Sequence, residues 1–288
     1  MNVSWGIMCH NEEANIGSLL RAAMQQHNGV EITVVASGCT DRTVEIAESF
    51  PVNILVQEHR EGKASAINLF IRESKGDVLV VESGDTIPAD GCLEALLKPF
   101  QFTHVGMTGA HPVPVDAKKN FKVKYLWELH HRMALKKPKM GEMIAFRRLF
   151  DNIPEGTAVD EASIEFEVSR RGYSIRYCPD AIVYNKGPET VSEFIKQRKR
   201  IYLGHLALRE QGYDVSSMGT SFLVQLVVST LRPWNLHGVV HTVWLEYIAR
   251  RQAGVEFKQG LRASRVWEQL PSTKKLSETR GLDITPDL

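Results

Sequence analysis

The chain has 288 residues, 43% of them hydrophobic, which is enough to bury the core of one large domain or of one domain with an appendage. Lysine and arginine total 35 and aspartate and glutamate 34, so the net charge near +1 argues against nucleic acid as a partner. The 4 cysteines lie far apart without a Cys-x-x-Cys pair, which favours a reduced cytosolic protein without a zinc site. The sequence opens without a signal-peptide pattern, and no apolar run reaches the roughly 18 residues of a membrane span.

The first hundred or so residues alternate predicted strands and helices. Strands are predicted over 3–9, 31–37, 54–58 and 77–83. Helices are predicted over 11–26, 40–50 and 62–76, the last with Gly76 as its C-terminal stop. Strands that are nearly continuous in Val, Ile and Leu, separated by helices, predict an α/β fold with a mostly parallel sheet and helices on both faces.

The second part of the chain continues this pattern and then departs from it. Further strands are predicted over 105–115, over 141–150 and after Gly172, and further helices over 121–135, after Val159 and over 197–210. Beyond residue 211 the pattern changes to two apolar helices, 221–231 and 238–249, followed by a polar tail. We therefore predict one domain over 1–210 and a C-terminal helical appendage over 211–288.

The appendage carries an apolar stripe at helical spacing. It consists of Val239, Val240, Val243, Trp244, Tyr247 and Ile248, and it ends at Arg250-Arg251. Such a helix is too short to cross a bilayer, but it can lie in the bilayer interface. Packing against the first domain is the other interpretation.

The stretch VVESGDTIP, residues 80–88, places the carboxylate of Asp85 at the end of a predicted buried strand. Open α/β sheets bind their ligands at the carboxyl ends of the strands. Six other distinctive stretches occur along the chain: CHNEEANI, SGCTDRT, REGKASAIN, GEMIAFRR, VDEASIE and QRKRI. In this order, over residues 3–205, they resemble the family 2 glycosyltransferases, which are inverting enzymes of the GT-A fold that use nucleotide sugars.

The resemblance implies a divalent cation, Mg²⁺ or Mn²⁺, that neutralises the donor's diphosphate. The family holds this cation with an Asp-x-Asp motif, and here Ser83-Gly84-Asp85 stands at that place, with serine for the first aspartate. Asp85 is then the metal ligand, with diphosphate and water completing the shell. Glu82 either compensates for Ser83 or is a buried structural carboxylate. His205 is a second candidate ligand, or a core residue.

The first two loops correspond to the family's nucleotide-binding loops. Asn11 and Glu12 match its Asn-Glu pair, and SGCTDRT matches its base-binding turn. Ser37 is predicted to contact the donor in this turn. It stands where the family has an acidic residue, so the identity of the donor's nucleotide base stays open. Asp41 is either a donor contact or the cap of the following helix.

Basic residues are predicted to contact the diphosphate. Arg60 and Lys63 lie at the start of a predicted helix, where an anion is favoured, and Lys63 is otherwise a surface residue. Gln197 and Arg200 match the start of the family's QxxRW motif, in which Ile201 replaces the tryptophan. Because that tryptophan contacts the acceptor in processive relatives, its loss argues against a polymer-secreting synthase.

An inverting transfer needs a general base for the acceptor hydroxyl. The family has an acidic pair at the start of a helix, and here the pair is Asp160-Glu161. Glu161 occupies the catalytic position, and Asp160 is the alternative because the order of the two residues is reversed.

The sequence thus predicts a glycosyltransferase that moves a sugar to a glycan or a lipid-linked acceptor at the cytoplasmic membrane face. A non-catalytic protein that binds nucleotide sugars or acts as a scaffold is the alternative, suggested by Ser83 and the altered base-binding turn. A sugar-phosphate nucleotidyltransferase is a third interpretation, but CHNEEANIG stands where that class has a glycine-rich loop.

Overall fold

A computed structural model describes residues 1–26, 29–116, 119–138, 141–212, 220–262, 264, 266, 270–274 and 276. Its strands are β1 Val3–Cys9, β2 Glu31–Ser37, β3 Asn53–Gln57, β4 Val78–Ser83, β5 Ile87–Pro88, β6 Val105–Pro114, β7 Met143–Arg147 and β8 Ser174–Asn185. Its α-helices are α1 Ile16–Gln26, α2 Thr43–Glu48, α3 Lys63–Glu73, α4 Cys92–Leu97, α5 Phe121–Ala134, α6 Asp160–Ser169, α7 Val191–Glu210, α8 Thr220–Thr230 and α9 Leu236–Lys258.

These strands form a single sheet in the order β3-β2-β1-β4-β7-β6-β8-β5. The first four in this order run parallel to one another, and β8 runs parallel to β6. Strand β7 is antiparallel to both β4 and β6, and the short β5 is antiparallel to β8. The predicted α/β fold with a mostly parallel sheet is confirmed.

Strand β1 lies at the centre of the parallel half, and all of its residues are buried. Its side chains alternate between two core clusters, as the twofold period of a strand requires. Trp5 and Ile7 belong to the cluster that includes residues of α1 and α4, while Met8 belongs to the cluster that includes residues of α3 and α6. Helices therefore cover both faces, which explains why the parallel strands β1, β2 and β4 are rich in apolar residues.

Several predicted helix boundaries are wrong, among them the start of α1, the end of α3, the start of α7 and the end of α9. Helix α3 ends at Glu73, and the N–H and the hydroxyl of Ser74 both donate to the carbonyl of Phe70. Gly76 instead packs against β1, because a Cβ there would lie 2.6 Å from the backbone nitrogen of Ser4. Helix α7 begins at Val191, six residues before the predicted start at Gln197, after a capping box between Thr190 and Glu193.

Helices α8 and α9 pack on the first part of the chain. Tyr125 of α5 bonds Thr230 of α8 at 2.8 Å, and Arg198 of α7 donates to Glu246 of α9 at 2.6 Å. Val239 is buried, so the predicted apolar stripe is divided between the protein interior and the surface. Among the residues that the structure describes, none of the helices is both long and apolar enough to span a bilayer.

The loops that follow β2 and β3 touch through their backbones. Gly38 has a φ of +59° and donates its N–H to the carbonyl of Gln57. A Cβ at Gly38 would lie 2.4 Å from the nitrogen of Arg60, so only glycine allows this approach. The contact holds two candidate donor-binding loops together at the carboxyl edge of the sheet.

We expect Gly38→Ala to lower the free energy of unfolding by about 2–3 kcal/mol, since it adds a backbone clash to an unfavourable φ. Gly91→Ala is the control, because Gly91 has a φ of +73° but a Cβ added there would meet no atom within 4 Å. That variant should lose only about 1 kcal/mol. Urea unfolding measures both, and equal losses would show that the contact with Arg60 is unimportant.

Candidate active site

A cavity of about 1220 Å³ opens at the carboxyl ends of β1, β2 and β4. All of the predicted site residues line it except Asn11 and Asp41. Those that line it are Glu12, Ser37, Arg60, Lys63, Ser83, Asp85, Asp160, Glu161, Gln197, Arg200 and His205.

Asn11 and Asp41 join the loop after β1 to the loop after β2. The side chain of Asn11 accepts from the N–H of Thr40 at 2.8 Å. The carboxylate of Asp41 accepts from the N–H groups of Glu13 and Thr43, each at 3.0 Å. Asp41 thus satisfies a backbone N–H at the start of α2, whose N-cap residue is Arg42, and its contact with the donor stays a prediction.

Lys63 forms the central ion pair of the cavity. Its Nζ lies 3.0 Å from Asp160 Oδ2 and 2.9 Å from Glu161 Oε1, and it donates a hydrogen bond to the latter. The side chain of Asp160 is 5% exposed and that of Glu161 is 24% exposed. Lys63 is therefore not a surface residue, and Glu161 is the more accessible of the two carboxylates.

The surroundings of the two carboxyl groups shift their pKa values in opposite directions. Burial would raise the pKa of Glu161, but the charge and hydrogen bond of Lys63 outweigh it and hold that pKa below its ordinary value. Burial and the neighbouring Glu161 charge raise the pKa of Asp160, although Lys63 opposes them. The lowered pKa keeps Glu161 ionised at neutral pH, as a general base must be.

Asp85 has a carboxylate neighbour that the sequence did not indicate. Burial raises the pKa of Asp85 against the charges of Lys63 and Arg200. Burial and the charge of Asp85 together raise the pKa of Glu142 to about 7. Glu142 lines the same cavity, directly before β7. Asp85 thus lies within electrostatic range of Glu142, Lys63 and Arg200.

The part of the cavity around Asp85 and Glu142 is rich in oxygen atoms, which suits a hard divalent cation. Asp85 and Glu142 offer carboxylate oxygens, and the buried Oδ1 of Asn185, which also lines the cavity, has no hydrogen-bond partner. Within the described ranges, no three His, Cys, Asp or Glu side chains converge to bind a metal on their own. Donor oxygens and water would have to complete a cation's shell, and a metal-ligand role for the buried His205 stays a prediction.

Glu82 does not reach the cavity. It is fully buried, and Thr86 Oγ1 donates to its Oε1 at 2.8 Å. Burial raises the pKa of Glu82 to about 8, so it is protonated at neutral pH. Of its two interpretations, the geometry supports the buried structural carboxylate.

A second residue that the sequence did not indicate comes from the polar tail. Lys274 lines the cavity and forms an ion pair with Glu12, whose carboxylate is only 3% exposed. The side chain of Asn15 bonds the carbonyl of Lys274 at 2.9 Å and the N–H of Leu276 at 3.1 Å. Residues 270–274 therefore close one side of the cavity, and no local pattern in the sequence predicts this distant contact.

The remaining wall of the cavity is largely apolar. It comes from α5, α8 and α9, and it includes Tyr125, Leu126, Trp127, Met133, Leu223, Val224, Val227, Val228, Val243 and Tyr247. Arg198, Tyr202 and Glu246 form a hydrogen-bonded polar group within it. The cavity thus combines a charged floor at the sheet edge with an apolar wall from the C-terminal helices.

Comparison with known proteins identifies the family. The model of the family described as "Glycosyl transferase family 2" matches residues 4–163, more than half of the chain. The chain belongs to glycosyl transferase family 2. The matched region contains Lys63, Asp85, Glu142, Asp160 and Glu161. The family predicted from the sequence is confirmed.

Curated relatives of this family 2 chain are similar over part of their length. Glycosyltransferase AglE of Haloferax volcanii is 32% identical over 117 residues, which are 38% of this chain and 38% of AglE. The probable glycosyltransferase YdaM of Bacillus subtilis is 24% identical over 229 residues, which are 69% of this chain and 54% of YdaM. The chain spans about half or less of the length of these relatives.

Solved structures establish the fold. A mannosyltransferase, PcManGT from Pyrobaculum calidifontis, in complex with GDP-Man and Mn²⁺, has a TM-score of 0.62 at 20% identity and covers 90% of this chain and 79% of its own. Glucosyl-3-phosphoglycerate synthase from Mycobacterium tuberculosis, with Mn²⁺, UDP and phosphoglyceric acid, has a TM-score of 0.54 at 18% identity and covers 72% of this chain and 78% of its own. The predicted GT-A fold is confirmed.

We expect Lys274→Ala to lower the free energy of unfolding at pH 7 by about 1–3 kcal/mol, because it leaves the buried Glu12 carboxylate without its cation. Adding Glu12→Gln should recover much of the loss, since it removes the charge. Urea unfolding measures both variants.

The control for this experiment is Lys199→Ala, whose partner Glu256 lies 2.7 Å away with both side chains near 30% exposed. This more exposed pair should contribute at most about 1 kcal/mol. A loss at Lys274 no greater than at Lys199 would contradict the prediction.

Proposed function

We propose that this chain is an inverting, metal-dependent glycosyltransferase that moves a sugar from a nucleotide-diphosphate donor to a hydroxyl group. The observation that carries the proposal is the ion pair of Lys63 with Asp160 and Glu161 in the cavity that also holds Asp85. A scaffold protein would have no need for an ionised, accessible carboxylate in a cavity that also holds Asp85 and basic side chains.

Glu161 is the general base in this mechanism. It accepts the proton of the acceptor hydroxyl as that oxygen attacks the anomeric carbon from the face opposite the leaving group. Lys63 keeps Glu161 ionised and fixes its orientation. Asp160 is more buried and positions Lys63.

The departing nucleoside diphosphate needs positive charge. Arg60 and Arg200 line the cavity, and Arg200 lies near enough to Asp85 and Glu161 to interact with their charges. A divalent cation bound at Asp85 would neutralise the diphosphate as the glycosidic bond breaks. The relatives crystallised with Mn²⁺ and with GDP-Man or UDP support such a donor and cation.

The acceptor is, in this proposal, a glycan or lipid-linked hydroxyl compound, and the apolar cavity wall favours the lipid-linked class. Val224, Val228, Val243 and Tyr247 line the cavity and are also 41–63% exposed at the surface. They continue into an exposed apolar face that we define as Val224, Val228, Trp234, Leu236, Val240, Val243, Trp244 and Tyr247.

The charges around this apolar face suit an anionic membrane. The charged residues between 220 and 251 are Arg232, Glu246, Arg250 and Arg251, and Glu246 is bound by Arg198. Exposed tryptophan and tyrosine with arginine are typical of segments that lie in a bilayer interface. The face would bring the cavity mouth to the membrane that carries the acceptor, on the cytoplasmic side in our proposal.

We expect Glu161→Gln to lower turnover about 10²–10⁴-fold while leaving donor binding and the melting temperature nearly unchanged. Wild-type turnover is measured as nucleoside diphosphate released from a panel of UDP- and GDP-linked sugars with Mn²⁺. Binding is measured as the rise in melting temperature that the donor causes.

Glu165→Gln is the matched control, because Glu165 lines the cavity one turn further along α6. It should retain most of the activity. If Asp160→Asn loses turnover and Glu161→Gln does not, the base is Asp160. If the donor binds but wild type and all variants lack turnover, the non-catalytic alternative is correct.

We expect the double variant Val240→Glu/Trp244→Glu to reduce cosedimentation with phosphatidylglycerol vesicles at least about tenfold, since burying each side chain contributes roughly 1.5–3 kcal/mol. The matched control is Val56→Glu/Phe102→Glu, which changes exposed apolar residues elsewhere. Equal sedimentation of the two double variants, or no sedimentation of wild type, would remove the membrane part of the proposal.

A further inference from the structure

Glu142 directly precedes β7 and lies beside Ser83, the last residue of the neighbouring strand β4. Strand β7 pairs antiparallel with β4, with Met143 opposite Glu82, and the N–H of Ser83 donates to the carbonyl of Glu142 at 3.3 Å. Ser83 stands where the family pattern has the first of its two aspartates. The neighbouring strand therefore brings a carboxylate next to the position that lacks one.

The backbone of Glu142 is unusual. Its φ is +54°, a conformation that glycine adopts freely and that costs a glutamate about 1 kcal/mol. Glycine is the preceding residue, Gly141, so the unfavourable conformation falls on the residue with the acidic side chain. Strained positions of this kind cluster at functional sites.

Among the residues that the structure describes, no basic side chain lies at hydrogen-bonding distance from Glu142, and an unsatisfied oxygen lies beside it. Asn185 is 5% exposed, and its Nδ2 donates to Glu142 Oε1 at 3.2 Å. The Oδ1 of the same amide group has no hydrogen-bond partner, although buried polar atoms are nearly always satisfied. Asp85 lies close enough for its charge to oppose that of Glu142. An oxygen-binding cation would satisfy all three groups at once.

We propose that Glu142 supplies the carboxylate that Ser83 lacks. Asp85, which follows β4, and Glu142, which precedes the adjoining strand β7, then together hold the divalent cation of the donor complex. This inference rests on the proposed function, because the cation is expected to bind with the donor's diphosphate. The amide oxygen of Asn185 is a third oxygen available to the cation or to its water. Two protein carboxylates with diphosphate and water oxygens form a shell suited to Mg²⁺ or Mn²⁺.

The test measures Mn²⁺ binding rather than turnover. Electron paramagnetic resonance counts free Mn²⁺ during titration of the protein with Mn²⁺ in the presence of UDP or GDP. We expect Glu142→Gln to weaken Mn²⁺ binding at least about tenfold. The double variant Ser83→Asp/Glu142→Gln should recover most of the affinity, because it returns the carboxylate to β4 within the same cavity.

Glu165→Gln is the control for general loss of negative charge in the cavity, and it should leave Mn²⁺ affinity unchanged. Melting temperatures show whether each variant is folded. Unchanged Mn²⁺ affinity in folded Glu142→Gln would overturn the inference, and so would a loss that Ser83→Asp does not reverse. Asp85→Asn separates the two proposals: if it abolishes Mn²⁺ binding while Glu142→Gln does not, only this inference fails. If wild type binds neither nucleotide with Mn²⁺, the proposed function fails as well.

Discussion

The ion pair of Lys63 with Asp160 and Glu161 is the interaction on which the arrangement of the cavity depends. It joins the first residue of α3 to the first two residues of α6, which are separated by about a third of the chain. Without the lysine, two like charges would lie side by side in a largely buried place, which is strongly unfavourable. The pair therefore fixes α6 against the parallel half of the sheet and keeps Glu161 ionised.

The cavity is assembled from distant parts of the chain. The parallel strands contribute its floor through Ser37, Ser83 and Asp85, as expected for an open α/β sheet. The C-terminal helices contribute its apolar wall, and Lys274 closes one side through its pair with Glu12. Described residues of α8, α9 and 270–274 are thus part of the cavity wall.

Hydrophobic alternation, short motifs and single glycines differ in how much of the structure they predict. The alternation of apolar strands and helices identified the fold, because burial on both faces imposes that pattern locally. Most residues in family motifs reach the cavity, because most of these motifs lie at or after the end of a strand of the same sheet. Gly76 was misinterpreted as a helix stop, since a glycine required for close packing against β1 looks the same in sequence.

The sequence by itself determined the fold class, the family and the position of the acidic and basic residues at strand and helix ends. These depend on local hydrophobic period and on short motifs. Only the tertiary structure decided that Glu82 is buried away from the cavity, that Glu142 lines it within electrostatic range of Asp85 and that Lys274 pairs with Glu12. These contacts depend on cross-strand register and on packing between residues far apart in the chain, which no local pattern encodes.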